Sequence, residues 1–228
     1  MKIALGLVVI AATLGAPPTA AAQTTPAPTE MAVRVAEAQK ANAALMQRYS
    51  WTSRTEITEQ GERKDIRIDL VNYGPNGMLQ RSLVNDQGAP LPFGFIRRRI
   101  AEHERQKMEE YLTGLRDLLE QYTLPTAAKV QAFMSRAKAT GPDAQGLFEM
   151  AGQSVVVPGD TFALWLDPRT HHLRKVHAGT FFQNDAVSFS ATFTTLSSGL
   201  NHLAYAEVIV PSKQIAVQIQ NFDYNRNN

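Results

Sequence analysis

The sequence predicts an α+β domain dominated by one large curled antiparallel sheet, with an N-terminal helix and a helical hairpin packed on the concave face. Three observations carry that expectation. Two long stretches, residues 49–84 and 154–224, alternate apolar and polar residues with period 2, as antiparallel strands buried on one face do. Helical periodicity is confined to two blocks, residues 30–46 and 93–140. Segregation of strands from helices defines the α+β class, and a long antiparallel sheet with a polar outer face curls toward closure.

The chain opens with MKIALGLVVIAATLGAPPTAAA, which reads as an export signal. Lys2 supplies the positive start, Ile3 to Leu14 the apolar segment, and Ala20 to Ala22 the small residues for cleavage before Gln23. Gly15, Pro17 and Pro18 end the apolar run well short of the ~20 residues of a membrane span. The expected product is periplasmic: residues 1–22 removed, a flexible Pro/Thr/Ala-rich linker over 23–29, and a single domain over 30–228.

Within the domain, Met31, Val35, Ala38 and Leu45 recur at helical spacing over Glu30 to Met46, with Thr29 as N-cap. From Tyr49 the period becomes 2, with Tyr49, Trp51, Ser53, Thr55 and Ile57 on one face of a first strand. Gln60-Gly61 turns the chain into a second strand carrying Ile66, Ile68 and Leu70, and the Asn76-Gly77 turn leads to a third over Met78 to Val84. The cluster from Gly88 to Pro92 breaks this meander. Over residues 93–140, Met108, Leu112, Leu115, Leu119 and Tyr122 mark one helix. Beyond Pro125, Ala127, Val130, Met134 and Ala137 mark a shorter one, ended by Gly141-Pro142. The last third reads as strands over 154–157, 161–166, 172–182, 187–194, 203–210 and 214–224, separated by Gly, Pro and Asp turns.

The chemistry on offer is sparse. There is no Cys, hence no disulfide, no thiolate and no acylated cysteine at the cleavage site. No G-x-S-x-G motif appears, and His171, His172 and His177 lack the spacing of a metal site and read as polar hairpin residues. Asp160 and Asp167 stand where Asp stabilises turns, and His103 among Glu102, Glu104 and Arg105 reads as a solvated helix face. Arg97-Arg98-Arg99 is spread around a helix axis rather than stacked on one face. The net charge of +2, or +1 once Lys2 is removed, predicts no strong electrostatic partner, and export argues against nucleic acid. The reading is of a protein that is not an enzyme and needs no cofactor.

What the sequence supplies is apolar material at alternating strand positions: Trp51, Ile57, Ile66, Ile68, Leu70, Phe162, Leu164, Phe189 and Phe193. In a closed core these residues pack; on a concave sheet face they line a cavity for an apolar ligand, covered by the helix bearing Met108, Leu112, Leu115 and Leu119. The order of elements, Trp165-Leu166-Asp167-Pro168-Arg169-Thr170 followed by Leu173-Arg174-Lys175-Val176, and the ending Asn221-Phe222-Asp223-Tyr224 resemble the periplasmic outer-membrane lipoprotein-sorting (LolA-like) superfamily. That resemblance implies a half-open β-barrel whose apolar concave face, lidded by helices, holds lipid, acyl chains or lipoprotein. It implies a carrier or sensor. The helical block is larger than that superfamily's simple lids, and no position matches its functional arginine. A scaffold that binds an envelope protein and has a filled interior is the other reading.

Overall fold

A computed structural model describes residues 28–86, 95–123 and 127–227. The export signal, its cleavage point, most of the linker and the cluster from Gly88 to Pro92 lie outside the described residues. Helix α1 spans Pro28–Met46, starting ahead of Thr29 because proline is well suited to a first helical turn. Strands β1 (Tyr49–Glu59), β2 (Glu62–Tyr73) and β3 (Leu79–Asp86) form the first meander. Helix α2 (Phe95–Glu120), a 3-10 turn (Gln121–Thr123) and α3 (Ala127–Met134) form the helical block. Then come β4 (Lys138–Thr140), β5 (Phe148–Gln153), β6 (Thr161–Leu166), β7 (Leu173–Phe182), β8 (Asp185–Thr195), β9 (Asn201–Val210) and β10 (Ile215–Arg226).

Two expected elements shift. The second helix of the hairpin stops at Met134, and residues 138–140, expected to be helical, add an edge strand to the sheet. The strand expected over 154–157 is a loop, and the strand that precedes β6 is Phe148–Gln153. The reason is local. The N–H groups of Val155, Val156 and Val157 donate to the carboxylate of Asp160 at 2.7–2.8 Å instead of joining a ladder.

The described strands make one ten-stranded sheet in the order β3-β2-β1-β10-β9-β8-β7-β6-β5-β4, every neighbour antiparallel. β10 pairs with β1 and so joins the two meanders, while β3 and β4 remain as edges: the barrel is open. The β7–β8 hairpin turns through Gln183-Asn184, both with positive φ (49° and 68°), the two-residue geometry that matches strand twist. Register fixes the concave face. Phe162 pairs with Ala178, Ala178 with Phe189, Phe189 with Val208 and Val208 with Val217, one transverse apolar row.

Candidate functional site

The helices cover the half of the concave face built by β5 to β10. Met31, Ala32 and Val35 of α1, Tyr111, Leu115 and Leu119 of α2, and Val130, Phe133 and Met134 of α3 are buried against Phe162, Leu164, Leu166, Val176, Ala178, Ala191 and Val208 of the sheet. Two glycines set the approach. A Cβ on Gly114 of α2 would stand 2.7 Å from the ring of Phe182, and one on Gly152 of β5 would stand 3.0 Å from the ring of Phe133. Without them neither helix could sit so close.

Each part of the cover is also fastened by polar contacts. At the α2–α3 junction the Tyr122 hydroxyl donates to Asp160 and accepts from Thr180, both at 2.7 Å, all three side chains being buried. Burial raises the Asp160 pKa, but the Tyr122 hydroxyl and three backbone N–H groups outweigh it and leave the carboxyl below its ordinary value. Burial, followed by the bond to Asp160, pushes the Tyr122 phenol up. Midway along α2, Tyr111 donates to Asp185, which also accepts from Ser212 at 2.6 Å. Burial and that carboxylate raise the Tyr111 phenol to about 12. Near the end of α1, the Asn42 side chain accepts from the Asn201 N–H at 2.8 Å and donates to the Asn201 carbonyl at 2.7 Å.

Under α1 lies a void of about 10 Å³, lined by Val35, Gln39, Tyr122, Val130, Phe162, Leu164, Leu166, Leu173 and Val176. It holds a single water at most. Outside, a groove of about 260 Å³ runs along the α1–α3 seam, lined by Ala32, Val33, Ala36, Glu37, Lys40 and Gln131. The seam therefore separates an open groove from an apolar interior.

The other end of the concavity, over β1, β2 and the end of β10, has a different character. Trp51 stacks on Tyr224 (5.5 Å, 11°) and meets Tyr73 at 6.1 Å, while His202 lies against Tyr224 at 3.9 Å. Next to this aromatic row, Ser53 pairs with Asp69 on one side and Asn221 on the other. Asp69 is 2% exposed and is held by Arg67 Nε at 2.9 Å from both carboxylate oxygens, with Arg81 at 3.7 Å.

Of the residues expected to line a cavity, the fold brings Phe162, Leu164, Phe189, Phe193, Met108, Leu112, Leu115 and Leu119 into one apolar cluster. Trp51 and Ile57 are on the concave face of β1 but outside that cluster. Ile66, Ile68 and Leu70 alternate to the opposite face, where Ile66 is still buried at 7% exposed. Trp51 faces Val71 and Ile57 faces Asp65, so the inward positions of β2 are Asp65, Arg67, Asp69 and Val71, and Leu70 is 45% exposed. The alternation in β2 gave the correct period and the opposite face, because Arg67 and Asp69 neutralise each other in the inward positions. Asp160, read as a turn-stabilising carboxylate, does bond three backbone N–H groups. Tyr122 marked only a helix position, Ser53, Asp69 and Asn221 carried no motif, and Arg67 and Asp69 two residues apart on one strand face were the available signal.

No family model and no curated protein matches the chain. Among solved structures it is similar to a DUF1329 family protein from Desulfovibrio piger (8% identity, 87% of this chain and 91% of that one, TM-score 0.39). It is also similar to a LolA superfamily protein from Nitrosomonas europaea (7%, 86% and 94%, TM-score 0.38). A third is a domain described as that of an outer membrane lipoprotein-sorting protein from Vibrio parahaemolyticus (9%, 87% and 93%, TM-score 0.40).

Proposed function

We propose that the chain is a non-enzymatic, exported carrier or sensor of acyl chains, whose ligand passes the α1–α3 seam and lies against the concave face of β5 to β10. The observation that carries this reading is the seam itself, with a groove of about 260 Å³ outside and an apolar void of about 10 Å³ inside. In this reading the arrangement is the closed form, and α1 is the part that moves. Its stake in the core is small: burial of Met31, Ala32 and Val35 stabilises by roughly 4–6 kcal/mol. An acyl chain that buries ten methylenes gains about 8 kcal/mol, enough to displace those side chains. Lipid or lipoprotein acyl chains are the ligand class, and the periplasm is the compartment.

The small size of the void favours a second reading, an envelope-protein scaffold with a filled interior and no ligand. Native mass spectrometry and lipid extraction of protein purified from a bacterial envelope separate the two. Carriage gives protein with co-purifying acyl lipid, and fatty acid or lipopeptide added to stripped protein changes Trp51 fluorescence. Protein that is consistently free of lipid, with both tryptophans silent in the titration, eliminates the carrier.

A further inference from the structure

The polar end of the concavity contains buried oxygens with nothing to bond. Ser53 is 1% exposed, and its Oγ has no hydrogen-bond partner among the described residues; the same is true of the buried Oδ1 of Asn221. Register places the two directly opposite each other on the concave face, with Asp69 on the far side of Ser53. Burying such atoms unpaired is unfavourable, a cost that Asp160, Thr180 and Asn201 in the helix-covered half do not incur. The neighbouring groups are already committed. Asp69 is paired with Arg67, and the Asn221 amide lies beside the Tyr224 hydroxyl.

We infer that Ser53 and Asn221 form the head-group subsite of an amphiphile, one that takes an uncharged hydroxyl- or amide-bearing head while the chain runs over the apolar half. The inference rests on the carrier reading. Charge chooses the head. Asn221 Oδ1 accepts only, so it repels a carboxylate or phosphate that has no proton to give, and the carboxylate of Asp69 lies one residue away in the same row. A cationic head would compete with Arg67 for Asp69. A hydroxyl satisfies both orphans, donating to Asn221 Oδ1 and accepting from Ser53. Arg81, half exposed and loosely placed 3.7 Å from Asp69, stands at the rim.

The test uses the mature chain carrying Trp165→Phe, so that Trp51, one residue row from Ser53, is the reporter. Monolaurin, laurate and methyl laurate share one chain and differ in the head. The expected result is monolaurin binding about tenfold tighter than either of the others, as two neutral hydrogen bonds allow. Ser53→Ala and Asn221→Ala should each shrink that preference several-fold and leave methyl laurate unchanged. Ser53→Ala breaks no bond, so its fold should survive and it is the deciding variant. Equal binding of the three probes, as a bridging water at Ser53 would give, overturns the subsite and leaves the carrier standing. Preference for laurate overturns it in favour of an anion at Arg81. Binding of none overturns the carrier and the subsite together.

Discussion

The helix-covered half of the sheet and the β1–β2–β10 end are built from the same antiparallel ladder, yet they treat buried polarity in opposite ways. Under the helices the buried side chains of Asp160, Thr180 and Asn201 are all bonded, Asp160 to Tyr122 and three backbone N–H groups, Thr180 to Tyr122, and Asn201 to the Leu173 carbonyl and the Thr195 hydroxyl, while His172 Nδ1 at the β6–β7 turn is the exception. At the other end Ser53 Oγ, Asn221 Oδ1 and His202 Nε2 are buried without partners among the described residues. A satisfied network strengthens a core, and an unsatisfied one weakens it. The first region therefore holds the fold together, and the second carries a cost that a ligand can relieve.

The most damaging way to break the first region is Asp160→Ala. It strips the acceptor from Tyr122 and from three N–H groups at once and should destabilise by about 4 kcal/mol, read as a shift in the urea midpoint at constant slope. The same carboxyl sets an acid limit. Its pKa is lower when folded than when unfolded, so its contribution is complete above the unfolded value, near 3.8, and is lost as pH falls through the folded value. Asp160→Ala should flatten the acid branch of the stability profile.

Phe162→Ala follows, at about 3 kcal/mol or more, because Phe162 is 1% exposed and makes ring contacts with both Tyr122 and Phe133. The deletion enlarges the void it lines, so a small apolar probe such as benzene should raise the melting temperature of the variant and not of the parent. If the benzene effect were absent, the space would have been refilled by collapse of α1 or α3.

Asn42→Ala probes the fastening of α1 with a smaller effect, about 1–2 kcal/mol, since two part-buried bonds to Asn201 are lost. If α1 is the moving part, acyl-chain association should speed up several-fold in stopped-flow fluorescence. A slower or unchanged rate would place the opening elsewhere.

This division also explains what could be read from the sequence. Period and class were legible: the alternation from Tyr49 and the repeat of Met108, Leu112, Leu115 and Leu119 correspond to β1 and α2, because apolar faces set those periods. Which face of β2 points inward was not. Ile66, Ile68 and Leu70 form the more apolar row, and only pairing with β1 turns Arg67 and Asp69 inward. The loop at residues 154–157 was missed because one carboxylate, Asp160, satisfies three successive N–H groups that a valine run would otherwise offer to a ladder. The Ser53–Asn221 pair joins residues far apart in the chain through the β1–β10 pairing, which no local pattern reveals.

In the second region the expected signs reverse. Ser53→Ala removes a buried hydroxyl that bonds nothing and should raise stability by about 1 kcal/mol, or 2–4 °C in a domain of this size. A drop in melting temperature instead would mean that an ordered water already satisfies Ser53.

The finest test of the contrast is His202, 4% exposed against the Tyr224 ring, with Nδ1 3.2 Å from the Leu203 carbonyl and Nε2 unpartnered among the described residues. Burial disfavours the charged ring and, despite the opposing bond to Leu203, leaves its pKa below 6.5. The unfolded chain then binds the proton more readily, so this contribution to stability is complete above about pH 6.5 and declines as pH falls toward the folded value. His202→Gln should reduce that decline by less than the Asp160→Ala effect. His172, lowered first by burial and then by Arg174, titrates with the same sign, so the double variant with His172→Gln should flatten the profile further. If stability between pH 7 and 5 were unaffected by His202→Gln, the ring would be gaining a partner for Nε2 on protonation, and this end of the sheet would be less starved of hydrogen bonds than its oxygens indicate.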